Sequence, residues 1–360
     1  MNHTDTSSKK IKFVSPKRDL FLATVRERVD QYFKEKNISR HATTGTLIKV
    51  GIHFILGIAL YFSIILQLFS APILLVLSGF LGIVSGFIGV NLCHDCMHGS
   101  FSSNVKVNRA LSYIYDFVGL SSFVWKITHN GGHHTYTNIH GHDPDIDKPF
   151  ILKLSPGSQW YPFHRFQHFY IWLLYSLVGI NWVFFADYLW VAKEWKKISW
   201  TEFALFLTFK IINFIIFLGI PLYVMTLPTW QILLGYLSYQ VFGGFAVALV
   251  FQLAHLVENV DFPVPDDDGV LNNQWGAHEM HTTSNFGTNN SALNVLVGGL
   301  NFQIEHHLMP YVSHSHYKDI SPIVRQTAKE FNLPYHECPT LLEAVKSHYR
   351  VIRRLGERKA

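Results

Sequence analysis

The sequence predicts an all-α integral membrane protein with two transmembrane helical hairpins (four crossings), an interfacial helix and a cytoplasmic helical cap. Three observations predict this fold class. Hydrophobic residues make up 49% of the 360-residue chain and charged residues only 15%, and the 29 Phe, 16 Tyr and 9 Trp exceed the aromatic content of an ordinary soluble protein. The chain also contains five long apolar runs. Finally, Lys and Arg are abundant at both of its ends.

The five apolar runs each have about the 20 residues that a helix needs to cross the core of a bilayer. They are residues 47–69, 71–92, 169–190, 203–225 and 230–254. Almost nothing separates the first two runs, where Pro72 follows Ser70 and Ala71. Pro221 and Pro228 mark a turn between the last two. Each of these pairs of runs therefore predicts a tight hairpin.

The basic ends predict the orientation of the chain. An excess of Lys and Arg marks the cytoplasmic side, so we expect both termini there and an even number of crossings. One of the five apolar runs must therefore not cross the membrane. The run 169–190 holds Asn181 and Asp187 and is followed by lysines, which is typical of a helix that lies in the membrane interface.

These features divide the chain into six segments. We expect a cytoplasmic N-terminal segment with an amphipathic helix, then the first hairpin, two groups of histidines, the interfacial helix with a linker, the second hairpin, and a cytoplasmic cap with more histidines and a basic C-terminus. Their bounds are 1–46, 47–93, 94–168, 169–200, 201–254 and 255–360.

Many of the 21 histidines fall in three short motifs that follow the hairpins. "HDCMH" contains His94 and His98, "HNGGHH" contains His129, His133 and His134, and "QIEHH" contains His306 and His307. Residues four apart share one face of a helix, whereas neighbours point about 100° apart. An adjacent pair of histidines therefore suits two metal ions better than one. Seven candidate ligands also exceed the three or four of a mononuclear site, which favours a dinuclear centre over a pH-sensing surface or a merely polar loop.

Other histidines are weaker candidates for this centre. His255 ends the last apolar run and is predicted to emerge at the same membrane face as His94, and His278 lies between it and the third motif; we predict both as metal ligands. His164 and His168 also have the four-residue spacing, but we interpret them as surface or interfacial residues. The remaining neighbours of the motifs are interpreted as solvated or as supporting the ligands; they are His140, His142, His314 and His316.

The three motifs, with an apolar hairpin before and another between them, resemble the three histidine boxes of the membrane fatty acid desaturases, over about residues 48–310. Gln303 stands where the third box often begins with His, which resembles the front-end group, whose members insert a double bond between an existing one and the carboxyl end. The resemblance implies a fatty acyl desaturase with two iron ions and O2 as co-substrate. Its substrate would be a membrane-associated acyl-CoA or acyl-lipid.

The same resemblance suggests further roles and partners. Gln303 becomes a candidate metal ligand or water-holding residue, and nearby acids are expected to orient imidazoles rather than bind metal; they are Asp95, Asp143, Asp145 and Glu305. The sequence contains no His-Pro-Gly-Gly motif of a fused cytochrome b5 domain. We therefore expect a separate electron donor, either a cytochrome b5-type protein or a ferredoxin with its reductase, and no nucleic-acid partner.

Two other classes of function remain open at this point. A di-iron membrane hydroxylase or ketolase would use the same site to add oxygen to a lipid. A membrane b-type cytochrome or a metal transporter would instead place its histidines within the membrane spans. Most of the histidines in this sequence lie outside the apolar runs. This position favours a hydroxylase or a ketolase over a cytochrome or a metal transporter.

Overall fold

The computed structural model describes residues 11–13, 19–148 and 150–358. Part of the basic N-terminal stretch, including Lys9, Lys10, Lys17 and Arg18, lies outside them. The described chain is predominantly helical, as predicted. Short strands add two small parallel sheets that the sequence did not predict: β1 (Lys12–Phe13) pairs with β2 (Val270–Leu271), and β3 (Ser284–Phe286) pairs with β4 (His336–Cys338).

The α-helices of the described chain follow one another in this order: α1 Leu20–Lys36, α2 Thr44–Ile65, α3 Ala71–Ile88, α4 His94–His98, α5 Val105–Phe117, α6 Ser122–Trp125, α7 Gln167–Ser176, α8 Val178–Asn181, α9 Asp187–Lys193, α10 Trp200–Phe214, α11 Ile220–Val224, α12 Thr229–His255, α13 Trp275–Thr282, α14 Ser291–Leu296, α15 Gln303–Leu308, α16 Tyr317–Glu330 and α17 Leu341–Gly356. Wider π-helical turns occur at Gly89–Cys93, Lys126–His133, Trp182–Ala186 and Ile215–Gly219, and 3-10 turns at Pro162–Phe166, Trp195–Lys197 and His314–His316.

Four helices of the described chain are long and apolar enough to cross a membrane. They are Thr44–Ile65, Ala71–His98, Trp200–Val224 and Thr229–His255. The prediction of an all-α integral membrane protein is thereby confirmed. A fifth apolar segment is bent by 60° between Pro162–Ser176 and Val178–Lys193. The arrangement of the spans as hairpins and the interfacial position of this bent segment stay predictions, as do the six segment boundaries.

Side-chain caps and prolines begin these helices. Thr43 Oγ1 accepts a hydrogen bond from the backbone N–H of Thr46, and Ser199 Oγ accepts one from Glu202. Such caps satisfy backbone donors that the first turn leaves without partners. Gly99 ends α4 in the left-handed conformation, with φ of 75°, which glycine adopts without steric cost.

The spans α3 and α12 run parallel and in close contact, because glycine residues line their crossing. A Cβ atom at Gly82 would collide with the carbonyl oxygen of Tyr239, and one at Gly244 would lie 2.5 Å from the backbone nitrogen of Gly179 in α8. Further along, Gly86 faces Val247. Because the two helices are parallel, their C-terminal ends, which carry the first histidine motif and His255, lie side by side.

A cap of shorter helices covers this end of the spans. The amphipathic helix predicted near the N-terminus is α1, and it packs against α13 and α16. Its buried face, which includes Phe21, Val25 and Val29, belongs to one apolar cluster with Ile304 and Tyr317. The helix that carries the third histidine motif is thus fixed by the N-terminal helix of the chain.

Candidate metal centre

Histidines from four distant parts of the chain meet at the ends of α3 and α12. His94, His98, His129 and His306 form a first cluster, in which one ligand atom of each lies within 4.8 Å of the others. His133, His255 and His307 form a second cluster by the same measure. All of these side chains are buried except that of His98, which is partly buried.

The two members of each adjacent pair of histidines have different places in the site. His306 belongs to the first cluster and His307 to the second, because neighbouring residues on a helix point in different directions. His134 lies between the clusters: its ring centroid is 4.5 Å from that of His306 and 4.3 Å from that of His307. Neighbouring histidine rings therefore point in different directions in the structure, as the two-ion interpretation requires.

The second motif lies in a π-helical turn, and this changes which of its histidines face one another. The N–H of His134 donates to the carbonyl of His129, five residues earlier. In a π-helix residues five apart come one above the other, so the Nε2 atoms of these two rings lie only 3.1 Å apart. Regular α-helical spacing, as assumed from the sequence, does not predict this contact.

Oxygen atoms hold the outward nitrogen of each ring in the second cluster. The Nδ1 atoms of His133, His255 and His307 lie 3.0, 3.2 and 2.8 Å from oxygens. These oxygens belong to the carboxylate of Asp143, the backbone carbonyl of Thr282 and the carboxylate of Glu279. Such contacts fix the tautomer and the direction of the ring, and leave Nε2 facing the cluster.

The rings of the first cluster are held chiefly by aromatic contacts. The indole of Trp125 stacks on His129 with a centroid distance of 4.1 Å. It meets His94 and His98 edge-on at 5.5 and 5.6 Å. Only His306 has an outward oxygen partner of the kind found in the second cluster, the hydroxyl of Tyr317 at 3.2 Å from Nδ1.

The donor set fits a transition-metal ion in each cluster. The Nε2 atoms of His94, His98 and His306 are buried and have no hydrogen-bond partner among the described residues, which is costly for polar atoms unless a ligand binds them. In the second cluster the Nε2 atoms of His255 and His307 are 3.1 Å apart. Two nitrogens that bind one metal ion at about 2.1 Å and at right angles lie about 3 Å apart.

The electrostatics of the site also suit a cation. Burial lowers the pKa of the imidazoles outside the spans well below the usual value, so they are neutral with a lone pair available; these are His129, His134, His306 and His307. His133 is the exception. Burial lowers its pKa, but the carboxylates of Asp143 and Asp145 outweigh burial and raise it to about 9. Carboxylates that stabilise a charged imidazole also stabilise a metal ion bound to the same ring.

Gln303 lies beside the second cluster. It is buried in α15, one helical turn before His307, and its amide nitrogen donates to the carbonyl of Leu300 at 2.7 Å. Its role as a metal ligand or a water-holding residue stays a prediction.

Several residues named in the sequence analysis have other surroundings than those expected, and the role of His278 as a metal ligand stays a prediction. His278 joins neither cluster: its ring packs edge-on against Phe13 at 5.1 Å, and burial lowers its pKa to about 4. Glu305 hydrogen-bonds Asn285 and Tyr335 rather than an imidazole of either cluster. His164 and His168 were interpreted as surface or interfacial residues, yet both are buried.

Two acidic residues near the clusters have partners that the sequence does not indicate. Glu279 is a single acid between His278 and His281, and nothing in its spacing indicates that its carboxylate meets His307. Asp95, which the sequence predicts to orient an imidazole, lies 3.8 Å from Nδ1 of His94 but only 2.9 Å from Nδ1 of His314. Both contacts depend on tertiary packing rather than on helical periodicity.

A cavity of about 550 Å³ adjoins the first cluster. His129 and Trp125 line it on the side of the histidines, and the bent segment α7–α9 forms much of the opposite wall. Its surface is mostly apolar. A second, narrower cavity between α3 and α12 shares Trp125 and Phe251 with the first and reaches His94. An apolar path therefore leads from between the helices to the candidate metal centre.

The chain is similar to proteins of one enzyme family over most of its length. The profile of the fatty acid desaturase family matches residues 37–339. The chain is 33% identical to the sn-1 linoleoyl-lipid 6-desaturase of Synechocystis sp., over 98% of this chain and 99% of that protein. It is 34% identical to the protein of the same name from Arthrospira platensis, over 76% and 77%, and 31% identical to an acyl-lipid (8-3)-desaturase of Physcomitrium patens, over 96% and 74%.

Proposed function

The chain belongs to the fatty acid desaturase family and is an oxidoreductase of lipid metabolism, and we propose that it is an O2-dependent di-iron acyl desaturase. The observation that carries this proposal is the pair of neighbouring histidine clusters at the end of an apolar cavity. Iron, when bound, supplies the oxidising power that the removal of hydrogen from unactivated methylenes requires and that side chains cannot provide.

In this proposal the first cluster, with His94, His98, His129 and His306, holds one iron ion, and the second cluster holds the other. His134 lies close enough to both to bind either ion. Asp143 and Glu279 keep the Nε2 atoms of their histidines directed at the second ion. Gln303 supports His255 or holds water beside it.

We propose that the substrate is a membrane acyl chain whose double bond is introduced near the carboxyl end. The relatives named linoleoyl-lipid 6-desaturase act, by that name, on a chain that already has double bonds. The apolar cavity beside the first cluster suits an acyl chain, and its opposite wall is formed by a segment that is itself apolar. The carrier is an acyl-lipid in this proposal, with acyl-CoA as the alternative.

The clusters are proposed to lie on the cytoplasmic side together with both termini. Lys and Arg are abundant at both ends of the sequence, as is typical of cytoplasmic segments. The electrons for O2 reduction are proposed to come from a separate carrier, either a cytochrome b5-type protein or a ferredoxin with its reductase. A cytoplasmic metal centre is accessible to such a carrier.

Expression in a host that lacks polyunsaturated lipids tests this function. The host is fed defined fatty acids, and mass spectrometry locates any new double bond. A product that has lost two hydrogens, with the new bond between an existing one and the carboxyl end, is expected. A product that has gained oxygen would instead identify a hydroxylase or a ketolase. Products that match those of the host without the protein would contradict both activities.

A further inference from the structure

Most polar side chains on the wall of the large cavity already have hydrogen-bond partners. The hydroxyl of Thr128 donates to the carbonyl of Val124, and the carboxylate of Asp187 accepts from Lys210. The amide N–H2 groups of Asn181 and Gln252 have no hydrogen-bond partner among the described residues, and of these two side chains Gln252 is the one that is partly buried rather than exposed. It therefore presents a free donor to an otherwise apolar cavity.

The neighbours of Gln252 leave it as the available donor at this position. Nδ1 of His348 lies 2.9 Å from the carbonyl of Leu256, so it carries the proton, and Nε2 accepts from the hydroxyl of Tyr175 at 2.9 Å. The single hydroxyl proton of Tyr175 is thereby engaged. The oxygen end of the Gln252 amide faces Tyr175, with Oε1 3.4 Å from the hydroxyl, and the nitrogen end therefore points away from Tyr175.

Gln252 is also close to the candidate metal centre. It precedes His255 by three residues in α12, which is about 4.5 Å along the helix axis. The adjacent residue, Phe251, has its ring centroid 6.0 Å from that of His129, and Gln252 and His129 line the same cavity. A group bound by Gln252 is therefore near the reacting carbons of the acyl chain.

We propose that the amide N–H2 of Gln252 donates a hydrogen bond to the carbonyl oxygen that joins the acyl chain to its carrier, an ester in a lipid or a thioester in acyl-CoA. Each C–C bond advances the chain by at most about 1.5 Å. A carbonyl held this near the clusters leaves only a few bonds to the carbons at the metal, which favours reaction close to the carboxyl end. The inference rests on the proposed desaturase function and names the residue that sets its position.

Substrate pairs that differ only in this carbonyl test the proposal. Membranes that contain the full chain are assayed with a linoleoyl glycerolipid and with its ether-linked analogue, and separately with linoleoyl-CoA and its S-alkyl analogue. The wild-type protein is expected to desaturate the carbonyl compound about tenfold faster than its analogue in at least one pair, as the loss of one buried hydrogen bond predicts. The pair that shows this preference identifies the carrier.

The substitution Gln252→Leu is expected to reduce that preference to less than about twofold by slowing only the carbonyl substrate. Gln231→Leu is the matched control, since it makes the same change near the other end of α12; it should keep the preference. Gln252→Met replaces the leucine variant if that protein does not accumulate.

Two results would overturn the proposal. Either the wild-type protein turns over both members of each pair equally, or the Gln252 variants keep the full preference. If the wild-type protein forms no double bond in any of the four substrates, the proposed function fails and this inference fails with it. A variant that loses activity equally on both members of a pair also counts against the proposal, because that pattern indicates a structural role.

Discussion

The two histidine clusters hold their rings by different means. In the second cluster an oxygen atom, from a carboxylate or a backbone carbonyl, accepts from the outward nitrogen of every ring. In the first cluster only His306 has a comparable oxygen partner. The other three rings there are contacted by the indole of Trp125 instead.

This difference separates two ways of preparing a metal ligand. A hydrogen bond to Nδ1 fixes both the tautomer and the direction of the Nε2 lone pair, and a carboxylate also adds negative charge beside the metal. Aromatic packing fixes the plane of a ring through its shape, but it adds no charge. We therefore expect the second cluster to be sensitive to the loss of charge and the first to the loss of volume.

The largest effect is expected when a ring is removed from either cluster. His307→Ala, His98→Ala and His134→Ala should each abolish desaturation, because each removes a proposed ligand from a site with few substitutes. Product analysis and iron content per chain measure the effect. His164→Ala is the control, since His164 is equally buried and hydrogen-bonded to the carbonyl of Phe150. It should keep both iron and activity; full turnover by the His307 variant would refute the assignment.

The next largest effect tests the role of charge in the second cluster. Glu279→Ala should lower iron affinity by about tenfold to a hundredfold, because it removes the carboxylate that orients His307. Glu305→Ala is the matched control, because both acids are fully buried. Glu305 meets Asn285 and Tyr335 instead of a clustered imidazole. Equal iron loss in the two variants would contradict the proposed role of Glu279.

The sequence predicts the candidate ligands better than it predicts what supports them. Long apolar runs and short histidine spacings are local patterns, and from them the membrane class and the seven histidines of the three motifs can be named. The partners of those histidines come from elsewhere in the chain: the hydroxyl of Tyr317 reaches His306 and the carboxylate of Glu279 reaches His307 only through tertiary packing. Periodicity carries no information about such contacts.

The fold shows the same division between local and distant information. The glycines of α3 and α12 are visible in the sequence, but the parallel contact of these two spans depends on glycines more than 150 residues apart, such as Gly82 and Gly243. The π-helical turn around His129 and His133 is also hidden, since its sequence is compatible with regular α-helical spacing. The contact between His129 and His134 could therefore not be predicted.

A smaller effect should follow from a change of volume in the first cluster. Trp125→Leu removes the ring that packs on His94, His98 and His129, so we expect a severalfold loss of iron and a slower reaction without complete inactivation. Trp190→Leu is the control, because Trp190 lines the same cavity and contacts Phe123 rather than a clustered histidine. If Trp125→Leu bound iron as well as the control did, shape would not be what holds the first cluster.

The smallest effect on the metal centre is expected at His278, which belongs to neither cluster. The sequence predicts it as a ligand, but its ring packs against Phe13. His278→Ala should therefore leave the iron content per folded chain unchanged and lower only thermal stability, by about 1–3 kcal/mol as for other buried polar groups. His255→Ala provides the contrast, because His255 lies within the cluster. Iron loss in both variants would extend the second cluster to His278.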